Sequence, residues 1–207
     1  MRLVSIYNLA LFAHIVGVLG LFIGMGAQWM SLLRLRRART LSQAREWSGL
    51  IRTVTRGGPV SGALLLAAGV YMTLTAWGFT TPWIDVSLGG MALMMALGMG
   101  IVGRRLGAIQ RAAQATLPDG AASGAIPPAL KRQIDEPLLW IATQLAGGVA
   151  LGVVFLMTYK PGLLGSLLAL AVAIALASVG AALSLKPGGK SPAGALAVPD
   201  MKEAHVS

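Results

Sequence analysis

The chain has 207 residues, 56% of them hydrophobic and only 12% charged, with a mean hydropathy of +0.73. A soluble domain carries roughly 25% charged residues, so about half the usual supply is missing, and the apolar residues run in long blocks, as membrane spans do. Cysteine is absent, which excludes disulfide scaffolds, cysteine-ligated zinc and cysteine nucleophiles, and the formal charge of +10 suggests a nucleic-acid footprint only until its placement is read.

Five apolar stretches, residues 4–33, 59–79, 83–103, 137–159 and 163–185, are each long enough to cross a hydrocarbon core of about 30 Å. They predict an all-α, polytopic membrane bundle over residues 1–185, followed by a tail at 186–207. The first stretch is longer than a signal-peptide core and runs into arginines instead of a small-residue cleavage site, so it reads as a retained span. It carries His14. In residues 41–54, Leu41, Ala44, Trp47, Ile51 and Val54 recur at helical spacing. This predicts either a short amphipathic helix lying on the inner leaflet against anionic head groups or an extension of the neighbouring span, with equal weight.

Asp85 stands at the outer edge of the third stretch, where it caps that helix or meets water, and Met91, Met95 and Met99 share one face further along. In the polar segment 104–136, the run from Pro118-Asp119-Gly120 to Pro127-Pro128 reads as a flexible connector. Asp135-Glu136-Pro137 reads as a helix start, with proline in the first turn and acids favourable to the helix dipole. The fifth stretch carries a four-residue stripe, Gly165, Ala169, Ala173, Ala177 and Ala181, and the fourth carries Gly148 and Gly152. Small residues let helices approach closely; packing within one chain is preferred over a homo-oligomer interface. The triplets Gly24-Met25-Gly26 and Gly98-Met99-Gly100 hint at duplicated hairpins without establishing them. The tail, rich in glycine and proline, reads as disordered.

Basic residues give the direction. Fifteen of the 17 lie in the two long polar segments and the tail; only Arg2 and Lys160 lie on the other side. The positive-inside rule then places the N-terminus outside and the tail in the cytoplasm, with the charges facing lipid head groups and not nucleic acid. Trp77, Trp83 and Tyr159 fall at the outer boundary of this map, and Trp29 and Trp140 at the inner one.

Ionisable residues inside a span are functional candidates by default, because burying them is expensive. His14 is the clear case, beside the neutral polar residues Gln28, Tyr71, Thr73, Thr75, Thr143 and Gln144. Three chemistries compete for it. Haem ligation needs a second axial ligand, and the other histidine, His205, is in the tail. Copper suits imidazole and thioether, with Met91, Met95 and Met99 as the methionines on offer. A proton relay lacks a carboxylate at mid-depth. Against them stands a structural role, a neutral histidine hydrogen-bonded to another helix, with methionine as packing filler. The structural role is preferred, haem and copper stand level behind it, and the relay comes last. No Gly-x-Ser-x-Gly elbow, His-Glu-x-x-His or carboxylate pair within a span supports catalysis, so a non-enzymatic role is expected.

Ala13-His14-Ile15-Val16-Gly17, the arginine cluster after it, and Phe155-Leu156-Met157-Thr158-Tyr159-Lys160-Pro161 resemble small bacterial integral membrane proteins related to the copper-resistance D (CopD) membrane domain. The resemblance covers about residues 5–161. It implies a helical bundle in a bacterial plasma (inner) membrane, a link to copper or haem, and His14 as the position that carries over. The spans hold no further histidine, which sets the chain apart from a metal transporter. The expectation is therefore a membrane protein without evident catalytic activity. A copper- or haem-binding protein using His14 is the alternative, and a transporter or channel subunit comes third.

Overall fold

The computed structural model describes residues 2–115 and 124–185, with side chains from Ile6 onward. The connector around Pro118-Asp119-Gly120, the tail and His205 lie outside the described residues. The elements are α1 (Arg2–Arg37), α2 (Leu41–Met72) with a π-helical turn (Thr73–Trp77), α3 (Pro82–Met95) with a π-helical stretch (Ala96–Gly103), α4 (Arg104–Ala115), α5 (Pro128–Ile134), α6 (Pro137–Tyr159) and α7 (Leu163–Leu185). Among the described residues there is no strand; an isolated bridge pairs Thr40 with Ala125.

Five helical stretches are long and apolar enough to cross a membrane: Ile6–Arg37, Leu41–Trp77, Pro82–Ala115, Pro128–Tyr159 and Leu163–Leu185. Leu9, Ile23, Leu164 and Leu176 on their outer faces are all about two-thirds exposed or more. Leaving such side chains in water forfeits roughly 1.5–3 kcal/mol each, so these faces suit a multi-pass membrane protein.

Helix α2 starts at Leu41, so residues 41–54 extend the second apolar stretch and do not lie flat beside it. Thr40 caps it, its hydroxyl accepting from the Gln43 N–H at 3.3 Å. Leu41, Ala44 and Ile51 are buried in one cluster with Leu32, Leu35, Leu106, Ile109, Leu130 and Trp140. The apolar stripe is thus covered by protein; its periodicity announced a buried face but not what buries it. The same holds for α4, where Leu106, Ile109 and Ala113 carry the third helix well beyond its apolar run and into that core.

Two acids at this end are paired with basic residues. Asp135 meets Arg36 at 3.5 Å and Lys131 at 3.4 Å, and Glu136, the residue before α6, meets Arg105 at 2.6 Å. Trp140 is fully buried, donates from Nε1 to the Ile134 carbonyl at 2.9 Å, and lies beneath the Arg36 guanidinium at 4.7 Å.

The small residues of α6 and α7 face one another. A Cβ added at Gly148 would collide with Ala177, and one at Gly152 would lie 2.9 Å from the Ala173 Cβ. The alanine stripe is spent within the chain at these positions. The two glycine-methionine-glycine triplets differ in form, Gly24-Met25-Gly26 being α-helical and Gly98-Met99-Gly100 π-helical.

Candidate functional site

The site grows from the seam between α1 and α2. A Cβ added at Gly17 would lie 2.8 Å from the Leu65 nitrogen, and one at Gly20 would lie 2.5 Å from Ser61 Oγ, so the two backbones nearly touch. One turn from Gly17, the His14 imidazole lies over Gly69, where a Cβ would stand 3.3 Å from Nδ1 and Cε1. His14 is 9% exposed, and its Nδ1 is 3.0 Å from the Leu65 carbonyl oxygen. A carbonyl only accepts, so Nδ1 carries the proton and donates. In a neutral ring Nε2 is left with a free lone pair.

His14 borders a cavity of about 200 Å³ shared by all the longer helices except α7. Tyr7 and Leu11 of α1, Leu65, Gly69 and Met72 of α2, Ser87 and Met91 of α3, and Met157 at the end of α6 line it. Its wall is mostly apolar, with one exception that matters. Ser87 is 4% exposed, and its hydroxyl is the single buried side-chain polar atom without a hydrogen-bond partner among the described residues. Other span hydroxyls bond back to their own helix: Thr73 to the Gly69 carbonyl at 2.9 Å, Thr143 to Leu139 at 2.7 Å, Ser178 to Ile174 at 2.8 Å. Buried polar atoms in native proteins are almost always paired, so an orphan calls for a partner from elsewhere.

The mouth of the cavity is aromatic and cationic. The π turn Thr73–Trp77 ends at Gly78, whose φ of 74° turns the chain, and brings Trp77 edge-on to Trp83 at 5.5 Å. Lys160 closes α6 in a left-handed conformation with φ 51°, its N–H donating to the Leu156 carbonyl at 2.8 Å. That conformation costs a lysine on the order of 1 kcal/mol. It sets Nζ 4.3 Å from the Trp77 ring centroid and 5.9 Å from that of Trp83.

Of the residues singled out for metal binding, the structure brings His14 and Met91 to one cavity and leaves the others out. Met95 is 44% exposed and Met99 69% exposed, and neither lines the cavity. The π stretch begins after Met95 and so shifts the register of Met99 alone; Met95, one α-helical turn beyond Met91, stays outside the lining. Met72 and Met157, which the sequence did not single out, join His14 instead. Among the described residues there is no cluster of three or more His, Asp or Glu side chains. A haem macrocycle exceeds a cavity of about 200 Å³ and would have to part the surrounding helices, whereas imidazole and thioether donors fit copper(I). Ser87 and Lys160 were also missed: an intrahelical serine usually bonds its own backbone, and a turn lysine reads as a topology marker.

No family model matches the chain, and no curated protein or solved structure matches it either.

Proposed function

We propose that the chain is a multi-pass protein of a bacterial inner membrane, with its N-terminus outside and its tail in the cytoplasm. We further propose that it binds a small aromatic molecule bearing a hydroxyl in the His14 cavity without transforming it. The membrane placement is supported by five helices of spanning length and by 15 of 17 basic residues falling on one side of them. The observation that carries the ligand is the orphaned hydroxyl of Ser87, a residue that lines the same cavity as His14, whose Nε2 is free. A ligand hydroxyl answers both, donating to the imidazole lone pair and accepting from serine. Size sets the rest. A cavity of about 150 Å³ takes one benzene, so about 200 Å³ takes one ring with a polar substituent. Among the described residues no carboxylate or second histidine lines the cavity, and the titratable groups beside His14 are Tyr7 and Lys160.

The chain has two histidines, so a ¹⁵N-histidine spectrum of the detergent-solubilised protein is simple to assign, with His14→Gln identifying the span residue. Phenol should move the His14 Nε2 resonance saturably. Toluene, with the ring but no hydroxyl, should not, and Ser87→Ala should weaken the phenol response by roughly five- to tenfold, the worth of one hydrogen bond. Equal responses to phenol and toluene, or none to either, would remove the ligand claim.

Copper(I) is the second reading, favoured by Met72, Met91 and Met157 standing around the same cavity as His14 and by the resemblance to CopD-related proteins. In the same spectrum, one equivalent of copper(I) under reducing conditions should shift Nε2, and Met157→Leu should abolish the shift.

A further inference from the structure

At the opposite end of the bundle lies a second concavity, of about 440 Å³, between α4 and the extension of α2. On the α4 side, Gly103, Gly107, Gln110, Arg111 and Gln114 recur at spacings of three, four and one, which place them on one helical face beside Arg104. The other face of α4, Leu106, Ile109 and Ala113, is buried in the core, so the polar face is turned outward. Gly107 gives the groove its floor: a Cβ there would meet nothing within 4 Å. Arg52 of α2 closes the opposite wall.

Among the described residues the charges here have no ionic partner. Arg36, Arg105 and Lys131 nearby are bound to Asp135 and Glu136, and Arg45 donates to the Ala113 carbonyl at 2.8 Å. The guanidinium groups of Arg52, Arg104 and Arg111 make no hydrogen bond or ion pair with any described residue, and among the described residues no carboxylate lines the groove. Arg52, Arg104 and Arg111 line one open space with Gln114 and with Gln110, whose amide donates to the Ser48 carbonyl at 3.4 Å. Like charges so gathered repel one another unless an anion sits between them. The guanidinium fork matches a tetrahedral oxyanion, whose oxygens accept paired N–H bonds.

We propose that this groove is a binding site for a phosphate group, carried by a phospholipid head group or free in solution. The phosphate chemistry stands apart from the His14 cavity. The lipid source rests on the membrane placement proposed above: the groove opens where the apolar run of the third helix gives way to Arg104, at head-group depth.

The test uses the full chain purified in mixed micelles of phosphatidylglycerol and phosphatidylcholine, with retained lipid counted by native mass spectrometry and inorganic phosphate titrated separately by calorimetry. Two variants alter the groove: Arg52→Gln/Arg104→Gln/Arg111→Gln, and Gly107→Glu, which puts a carboxylate into open space. A control, Arg37→Gln/Arg56→Gln/Arg132→Gln, removes the same charge elsewhere. Wild type and control should retain phosphatidylglycerol at least tenfold over phosphatidylcholine, and both groove variants should lose that preference. Saturable phosphate binding lost in the groove variants, without lipid preference, keeps the site and assigns it to free phosphate. Groove variants that match wild type in both measurements, or a control that loses as much as they do, overturn the proposal. Gly107→Glu guards against misfolding of the triple variant, since its added Cβ meets nothing within 4 Å.

Discussion

Gly17→Ala probes the seam on which the His14 site is built. The added methyl would lie 2.8 Å from the Leu65 nitrogen, 2.9 Å from its Cβ and 3.0 Å from its Cα. Two of these are backbone atoms, so no side-chain rotation relieves the overlap. Carbon contacts are comfortable at about 3.5–4.0 Å, so α1 and α2 must part by roughly 0.7 Å at this point. Overpacking of this kind costs about 1–3 kcal/mol, and alanine's better helix propensity returns about 0.5–1.

His14 sits one turn away, and its bond to the Leu65 carbonyl starts at 3.0 Å. The same displacement carries it past about 3.5 Å, where the bond lapses, adding roughly 0.6 kcal/mol, the average worth of an interhelical hydrogen bond in a membrane protein. The net expectation is a loss of about 0.6–3 kcal/mol, with the His14 Nδ1–H resonance shifted. Gly24→Ala is the control, on the same helix, with nothing within 4 Å of its added methyl. It should be neutral or stabilising by up to about 1 kcal/mol. Denaturant unfolding in detergent followed by tryptophan fluorescence, with ¹⁵N-histidine spectra of each variant, makes the comparison. Gly17→Ala as stable as Gly24→Ala, with the Nδ1 signal unmoved, would refute the close-packed seam.

Three further outcomes are expected. Ser87→Ala, which removes an unpaired buried hydroxyl, should raise the unfolding free energy of ligand-free protein by about 1 kcal/mol while weakening phenol binding; a loss of stability would mean that the hydroxyl has a partner within the chain. Trp140→Phe removes the donor to the Ile134 carbonyl from a fully buried site and should cost about 1–3 kcal/mol, so wild-type stability would count against that bond. A reporter active only in the periplasm, fused after Ser207, should be silent; strong activity there would reverse the proposed orientation.

The helical ends were legible where turn chemistry marked them. Residues 137–159 and 163–185 coincide with α6 and α7 because Pro137 begins one and Lys160-Pro161-Gly162 separates the two. The helix boundaries of α2 and α4 were not legible from hydropathy, which reports the preferred solvent and not the hydrogen-bonding of the backbone. Both helices continue past their apolar runs as amphipathic segments, with Arg52 and Arg111 outward and Ile51 and Ile109 inward. His14 stood out as a histidine among apolar neighbours, yet its partner is a backbone carbonyl, which any residue at position 65 would supply. The π stretch Ala96–Gly103 has no apolar signature of its own, and so the placement of Met99 relative to Met91 was beyond a reading that assumes a uniform α-helical period.

Polar residues in the apolar part of this chain divide by whether their hydrogen bonds close. Thr73, Thr75, Thr143 and Thr158 each donate to the carbonyl four residues back, which satisfies the hydroxyl proton and leaves only acceptor lone pairs for a ligand. Gln144 reaches the Ser184 hydroxyl at 3.4 Å and ties α6 to α7. These are costs of the fold met within the fold. Ser87 is different because it is as buried as any of them and remains open, and His14 because only one of its two ring nitrogens is engaged. An unmet hydroxyl in a dry site lowers stability by about 1–3 kcal/mol, and a serine-to-alanine change would remove that cost outright. A polar valence kept open at that cost, beside a half-engaged imidazole on one small cavity, is what a binding site needs and what packing alone does not.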